Sequence, residues 1–135
     1  MIKFTEKIKQ DFLPTEWMVK LDEAGVNFID TKYYIVQEES GEEFIATKDE
    51  LPTNEDITIY PTYSLSELIY KLPEYIDIEH GELIFQKDAP FYMFGFKNDP
   101  KSQEGYECYP LYSAANLLLY CAKNNLSYVK DVSGK

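Results

Sequence analysis

The sequence predicts a single α+β domain spanning residues 1–135, with about three helices packed on a mainly antiparallel sheet of about five strands. Three observations lead there. A chain of 135 residues has the length of about one domain. Its extended apolar runs are joined by short polar or proline-containing connections, which favours antiparallel hairpins. Helical patterns stand before, between and after those hairpins, in the order α, β, β, β, α, β, β, α, as expected of helices laid on a sheet. A hydrophobic share of 44% beside 27% charged residues supplies the apolar surface that offsets chain ordering, so whole-chain disorder is excluded.

The first helix is predicted to begin at Thr15, placed to cap free N–H groups after Pro14, and to stop at Gly25, with Trp17, Leu21 and Ala24 on one face. Residues 33–36 and 44–47 are strand-like and are joined by Glu38-Glu39-Ser40-Gly41-Glu42, a hairpin signature. Residues 57–60 form a third extended run, ended by Pro61. Ser64-Leu65-Ser66-Glu67 is a capping box, and Leu65, Leu68, Ile69 and Leu72 continue at helical spacing until Pro73.

Residues 82–86 and 91–96 read as a second hairpin across Lys87-Asp88-Ala89-Pro90. The later strand is apolar on both faces, with Phe91 and Met93 one way and Tyr92, Phe94 and Phe96 the other. That suits a central strand or one with an uncovered aromatic face. Residues 98–105 read as a polar, mobile loop. Pro110 opens the last helix, whose expected buried side is Leu111, Ala114, Ala115, Leu118, Leu119 and Ala122 and whose exit is Asn124-Asn125. Residues 127–129 read as a terminal strand, and residues 1–12 and 131–135 as flexible ends. Leu68, Leu72, Leu118 and Leu119 are expected to share a core with Trp17.

All 13 basic residues are Lys, and the net charge is -11. Without Arg the chain lacks the planar fork that grips phosphate and guanine bidentately, and an acidic chain gains nothing from neutralising a polyanion, so direct nucleic-acid binding is not expected. Residues 21–60 hold eleven acids against two Lys; the negative field is centred there and suits a basic partner. No stretch approaches the roughly 20 apolar residues of a membrane span, and the charged start is unlike a signal peptide. The two Cys, 108 and 121, are not spaced as a zinc site or a disulfide scaffold, so reduced thiols in a cytoplasm and no disulfide are expected.

Chemistry by imidazole would require His80, the sole histidine, and reads first as an exposed turn residue. Cys108 follows Glu104 and Glu107, acids that disfavour a thiolate rather than activate it. Glu38, Glu39, Glu42 and Glu43 cluster at a hairpin tip but lack calcium-loop spacing. Asp77 and Glu79, two apart in an extended stretch, would share a face and suit a divalent metal or acid/base pair. There is no phosphate loop, nucleophile elbow or Cys-x-x-Cys. No cofactor is expected. The 12 Tyr and 8 Phe exceed what a small core holds with satisfied hydroxyls, so some are expected at the surface as interface anchors.

The run Ile59-Tyr60-Pro61-Thr62-Tyr63-Ser64-Leu65-Ser66-Glu67-Leu68-Ile69-Tyr70-Lys71-Leu72-Pro73, with Lys87-Asp88-Ala89-Pro90-Phe91-Tyr92 and Ala114-Ala115-Asn116-Leu117-Leu118-Leu119, resembles uncharacterised small acidic proteins of bacterial phages and mobile elements. The resemblance covers most of the chain from Thr15 on and implies an accessory role in a bacterial cytoplasm; it brings no catalytic residues. The functional expectation is therefore a non-enzymatic interaction protein that takes a basic bacterial or phage protein through Glu38, Glu39, Glu42 and Glu43 and through Tyr92, Phe94 and Phe96. The alternative is a small carboxylate enzyme, metal-assisted through Asp77 and Glu79.

Overall fold

Residues 1–26, 30–53 and 56–126 are described by the computed structural model of the chain, and among them lie three α-helices and six strands. The α+β class is as the sequence predicts, but the strands form two antiparallel sheets, one of four and one of two, instead of one sheet of about five. The chain gathers into two compact units, Met1–Ser64 and Leu65–Lys135. The expected strand at residues 127–129 and the expected flexible end at 131–135 lie outside the described residues.

In the first unit β1 (Ile2–Lys3), β2 (Tyr33–Gln37), β3 (Glu43–Thr47) and β4 (Thr58–Thr62) lie in the order β1-β3-β2-β4. Residues 1–12 thus carry a strand paired to β3, a 3₁₀ turn at Ile8–Gln10 and the buried Phe4. The expected hairpin of β2 and β3 forms, with Ile35 opposite Ile45 and Val36 opposite Phe44. Neighbouring Ile35 and Val36 are both fully buried, so both faces of the sheet are covered. Phe4, Ile35 and Ile45 form one core, against which Ile8, Phe12, Tyr33 and Tyr60 pack.

Pro61 does not end the third run; it sits inside β4 opposite Tyr34. Proline lacks the N–H of a ladder and is tolerated there because β4 is an edge strand. Helix α1 (Thr15–Glu23) also differs at its start. Pro14 is the N-cap, no side chain caps it, and the Thr15 hydroxyl is buried without a partner among the described residues. Its inward residues are Met18 and Leu21, while Trp17 and Ala24 are half-buried. Gly25 takes the left-handed stop as expected, with φ +97.

In the second unit α2 (Leu65–Lys71) begins directly after the expected cap Ser64 and ends before Pro73. β5 (Leu83–Asp88) and β6 (Phe91–Phe96) form the second hairpin, and α3 (Pro110–Lys123) packs on both β6 and α2. Because α3 meets two neighbours, its buried arc is wide and rotated from the expected one. Leu111, Ala114, Ala115 and Leu118 are buried as expected, but Ser113, Leu117 and Cys121 join them, and Leu119 and Ala122 are only half-buried. Of the residues expected to share a core, Leu68, Leu72 and Leu118 are buried within the second unit, Leu119 is half-buried there, and Trp17 is half-buried in the first.

Residues 98–105 are not simply a loop. They contain a 3₁₀ turn, Pro100–Gln103, pressed against β6 so closely that a Cβ on Gly95 would stand 2.8 Å from Gln103 Cγ and 3.1 Å from the Ser102 carbonyl oxygen. The outer edge of β6 is finished without a third strand. Tyr92 N–H donates to the Glu107 carbonyl at 2.8 Å, Phe94 N–H to Ser113 Oγ at 2.9 Å, and Phe96 N–H to Ser102 Oγ at 2.8 Å. With these donors satisfied, β6 has no edge to offer another strand, which is one reason the strands divide into two sheets.

Candidate functional site

The acidic tip is built by the backbone of the β2–β3 hairpin. Glu38 N–H donates to the Glu42 carbonyl and Gly41 N–H to the Glu38 carbonyl, both at 2.8 Å. This turn leaves Glu38, Glu39 and Glu42 exposed, while Glu43 is half-buried as the first residue of β3. Lys3 Nζ lies 3.5 Å from Glu42, both side chains well exposed, so that pair adds little to stability and leaves the local excess negative. Among the described residues no three His, Cys, Asp or Glu side chains gather as a metal set.

The aromatics expected as surface anchors are placed otherwise. Phe96 is fully buried, Phe94 is 7% exposed, and Tyr92 is half-buried. Phe94 and Phe96 are core of the second unit rather than surface anchors, because α3 and the 3₁₀ turn cover β6. The exposed aromatics of this hairpin are instead Phe85 and Phe91. Phe85 lies against Tyr92, centroids 6.0 Å apart, and against Phe94 at 4.7 Å.

Asp77 and Glu79 do not form an acid pair. Residues 77–81 make a turn in which Gly81 N–H donates to the Asp77 carbonyl at 2.7 Å, and Asp77 Oδ1 accepts from the His80 N–H at 2.8 Å while lying 2.8 Å from His80 Nδ1. The other ring nitrogen, Nε2, faces Asp99 Oδ2 at 3.9 Å. That same Oδ2 accepts the Tyr120 hydroxyl at 2.8 Å. His80 therefore has the partners that its sequence neighbourhood did not reveal, one of them 19 residues on in the 3₁₀ region.

The electrostatics follow from this geometry. The hydrogen bond to Asp77 raises the His80 pKa above its ordinary value, against some loss from burial, and Asp77 is lowered by the His80 backbone and ring hydrogen bonds. Both ring nitrogens face carboxylates, Nδ1 at hydrogen-bond distance from Asp77 and Nε2 at 3.9 Å from Asp99, so the charged form of the ring is favoured. Burial, then the hydrogen bond to Asp99, pushes the Tyr120 hydroxyl up to about 12, and burial pushes the Cys121 thiol up to about 12. Neither is activated as a nucleophile. Both cysteines are free, Cys108 exposed and Cys121 buried. Beside this cluster a polar cleft of about 300 Å³ is lined by Tyr120, Glu104, Glu107 and Asn116, with Asn116 Nδ2 donating to Glu107 Oε2 at 2.7 Å.

No protein-family model matches this chain, and neither the curated proteins nor the solved structures contain a match to it. No described helix is long and apolar enough to cross a membrane.

Proposed function

We propose that this is a non-enzymatic interaction protein that binds a basic protein partner through the acidic tip of its first hairpin. The observation that carries the reading is the exposure of Glu38, Glu39 and Glu42 on one backbone-fixed turn, backed by Glu43, in a chain of net charge -11. Carboxylates held at a projecting tip steer an oppositely charged surface during encounter. Asp77 supports the same side of the choice, since its carboxylate accepts from the His80 backbone and lies at hydrogen-bond distance from the His80 ring rather than being shared with Glu79 as a metal pair. The sequence resemblance adds a setting, an accessory protein of a bacterial phage or mobile element acting in the cytoplasm.

The test starts from a basic partner identified by capture from bacterial lysate and mass spectrometry, followed by association kinetics with the purified pair. Replacing Glu38, Glu39, Glu42 and Glu43 with Gln lowers the association rate and flattens its dependence on salt, with dissociation nearly unchanged. Equal association rates for the wild type and this variant at low ionic strength would sink the reading.

A further inference from the structure

The edges of the β5–β6 hairpin are treated differently. Along an antiparallel strand successive peptide groups point to opposite sides. Tyr92, Phe94 and Phe96 direct their N–H groups away from β5, to Glu107, Ser113 and Ser102. In the observed register, Asp88, Gln86 and Ile84 oppose Phe91, Met93 and Gly95, so those three direct their peptide groups into the hairpin. Phe85 and Lys87 consequently direct theirs outward. Glu74 and Tyr75 cover this outer edge only at its start, with Leu83 N–H donating to the Glu74 carbonyl at 2.8 Å and Tyr75 bridging Glu82. From Phe85 to Asp88 the edge has no backbone partner among the described residues, and all four residues are exposed.

We propose that a second copy of this chain docks on this open edge, β5 to β5 and antiparallel, about a two-fold axis at Gln86. The open stretch is self-complementary in that register. Its two outward residues, Phe85 and Lys87, stand one on each side of Gln86, so Phe85 pairs with the partner's Lys87 and Lys87 with the partner's Phe85. Each such pair exchanges both N–H and C=O. The side chains agree with the backbone. Phe85 already packs against Tyr92 and Phe94, and Lys87 Nζ lies 5.9 Å from the Tyr92 ring centroid. Pairing sets the partner's Lys87 between Phe85 and the partner's Tyr92, a cation between two aromatic rings.

An edge lysine ordinarily blocks such pairing; here it is held over a ring of its own hairpin and becomes the complement of the aromatic opposite. The two-stranded sheet becomes four-stranded, closer to the size at which sheets are stable. An unrelated basic peptide fits this edge less well, because the edge itself presents Lys87. Two chains of net charge -11 repel at distance, so the association strengthens as salt screens them.

Sedimentation velocity over a concentration series, at low and at high sodium chloride, tests this on the full chain. The expected result is a concentration-dependent dimer whose fraction rises with salt. Phe85→Lys, at a half-exposed position, sets lysine opposite the partner's Lys87 and weakens dimerisation at least tenfold, with circular dichroism unchanged. In the wild-type dimer the Phe85 and Lys87 amides exchange with solvent at least tenfold more slowly than in the monomer. A chain monomeric at all concentrations and salts overturns the proposal. So does a dimer that a folded Phe85→Lys leaves intact, or slowed exchange elsewhere but not at these two amides. Loss of dimerisation leaves the acidic-tip reading untouched, because that reading is tested by association with a basic protein through different residues.

Discussion

Ser113→Ala isolates the device that closes the outer edge of β6. The Ser113 hydroxyl is fully buried, accepts the Phe94 N–H at 2.9 Å and donates to the Gly105 carbonyl at 2.8 Å. A serine within a helix commonly turns back on its own backbone; Ser113, in the first turn of α3, reaches across to the sheet. Alanine leaves a buried N–H without an acceptor, which costs about 1–3 kcal/mol, offset by at most about 0.5 kcal/mol of better helix propensity. The net loss is about 2 kcal/mol, or roughly 6–10 °C in Tm for a chain of this size. Urea unfolding followed by far-UV circular dichroism measures the stability, and amide exchange at Phe94 reports the bond itself. A loss below about 0.5 kcal/mol with Phe94 exchange unchanged would show that Ser113 does not hold the edge, and the account of why β6 ends its sheet would fail with it.

Leu117→Ala and Leu118→Ala should each cost about 2–5 kcal/mol in denaturant melts through lost burial and the cavity left behind, and Leu119→Ala clearly less, since Leu119 is half-buried; the reverse order would rotate α3. The sole histidine should titrate by NMR with a midpoint above about 6.5, and Asp77→Asn should lower that midpoint, because the Asp77 hydrogen bond is its main cause. The sign follows: the stability from the raised His80 is fully present below the unfolded value and is lost as pH rises through the folded one, while that from the lowered Asp77 is lost as pH falls through its folded value. A thiol reagent should label Cys108 in the native protein and Cys121 only on unfolding, given their exposure and burial; two native equivalents would contradict the placement of α3, and none would contradict the exposure of Cys108.

Elements set by local signals were legible. The tip of the first hairpin, the left-handed Gly25, the proline start of α3 and the end of α2 before Pro73 depend on residues a few positions apart. The errors arose where a distant partner decides. Pro61 reads locally as a stop, yet its place on an edge makes the missing N–H harmless. Leu117 displaced Leu119 because α3 is covered by β6 and α2 together, and a helical period alone does not say how wide the covered arc is. The single sheet became two partly because Ser102 and Ser113, residues without hydrophobic or charge signal, satisfy the donors on which another strand would have paired.

The candidate site shows the same division more sharply. Carboxylates at a hairpin tip are exposed almost by construction, so Glu38, Glu39 and Glu42 were readable from the turn that carries them. An aromatic run on a strand is ambiguous between core and surface, and only the cover supplied by α3 and the 3₁₀ turn assigns Phe94 and Phe96 to the core. Phe85 and Phe91 then remain outside, and the alternation of β5 sets Phe85 on the same face as Phe94 with its peptide group toward the open edge. His80 is the converse case. Its sequence neighbours suggested an idle turn residue, but folding brings Asp99 and, through it, Tyr120 to the same cluster. A carboxylate on each side of the ring favours its charged form, and the turn that carries it is joined to Asn98, the residue before Asp99: the Asn98 N–H donates to the His80 carbonyl and its Nδ2 donates to the Ile78 carbonyl.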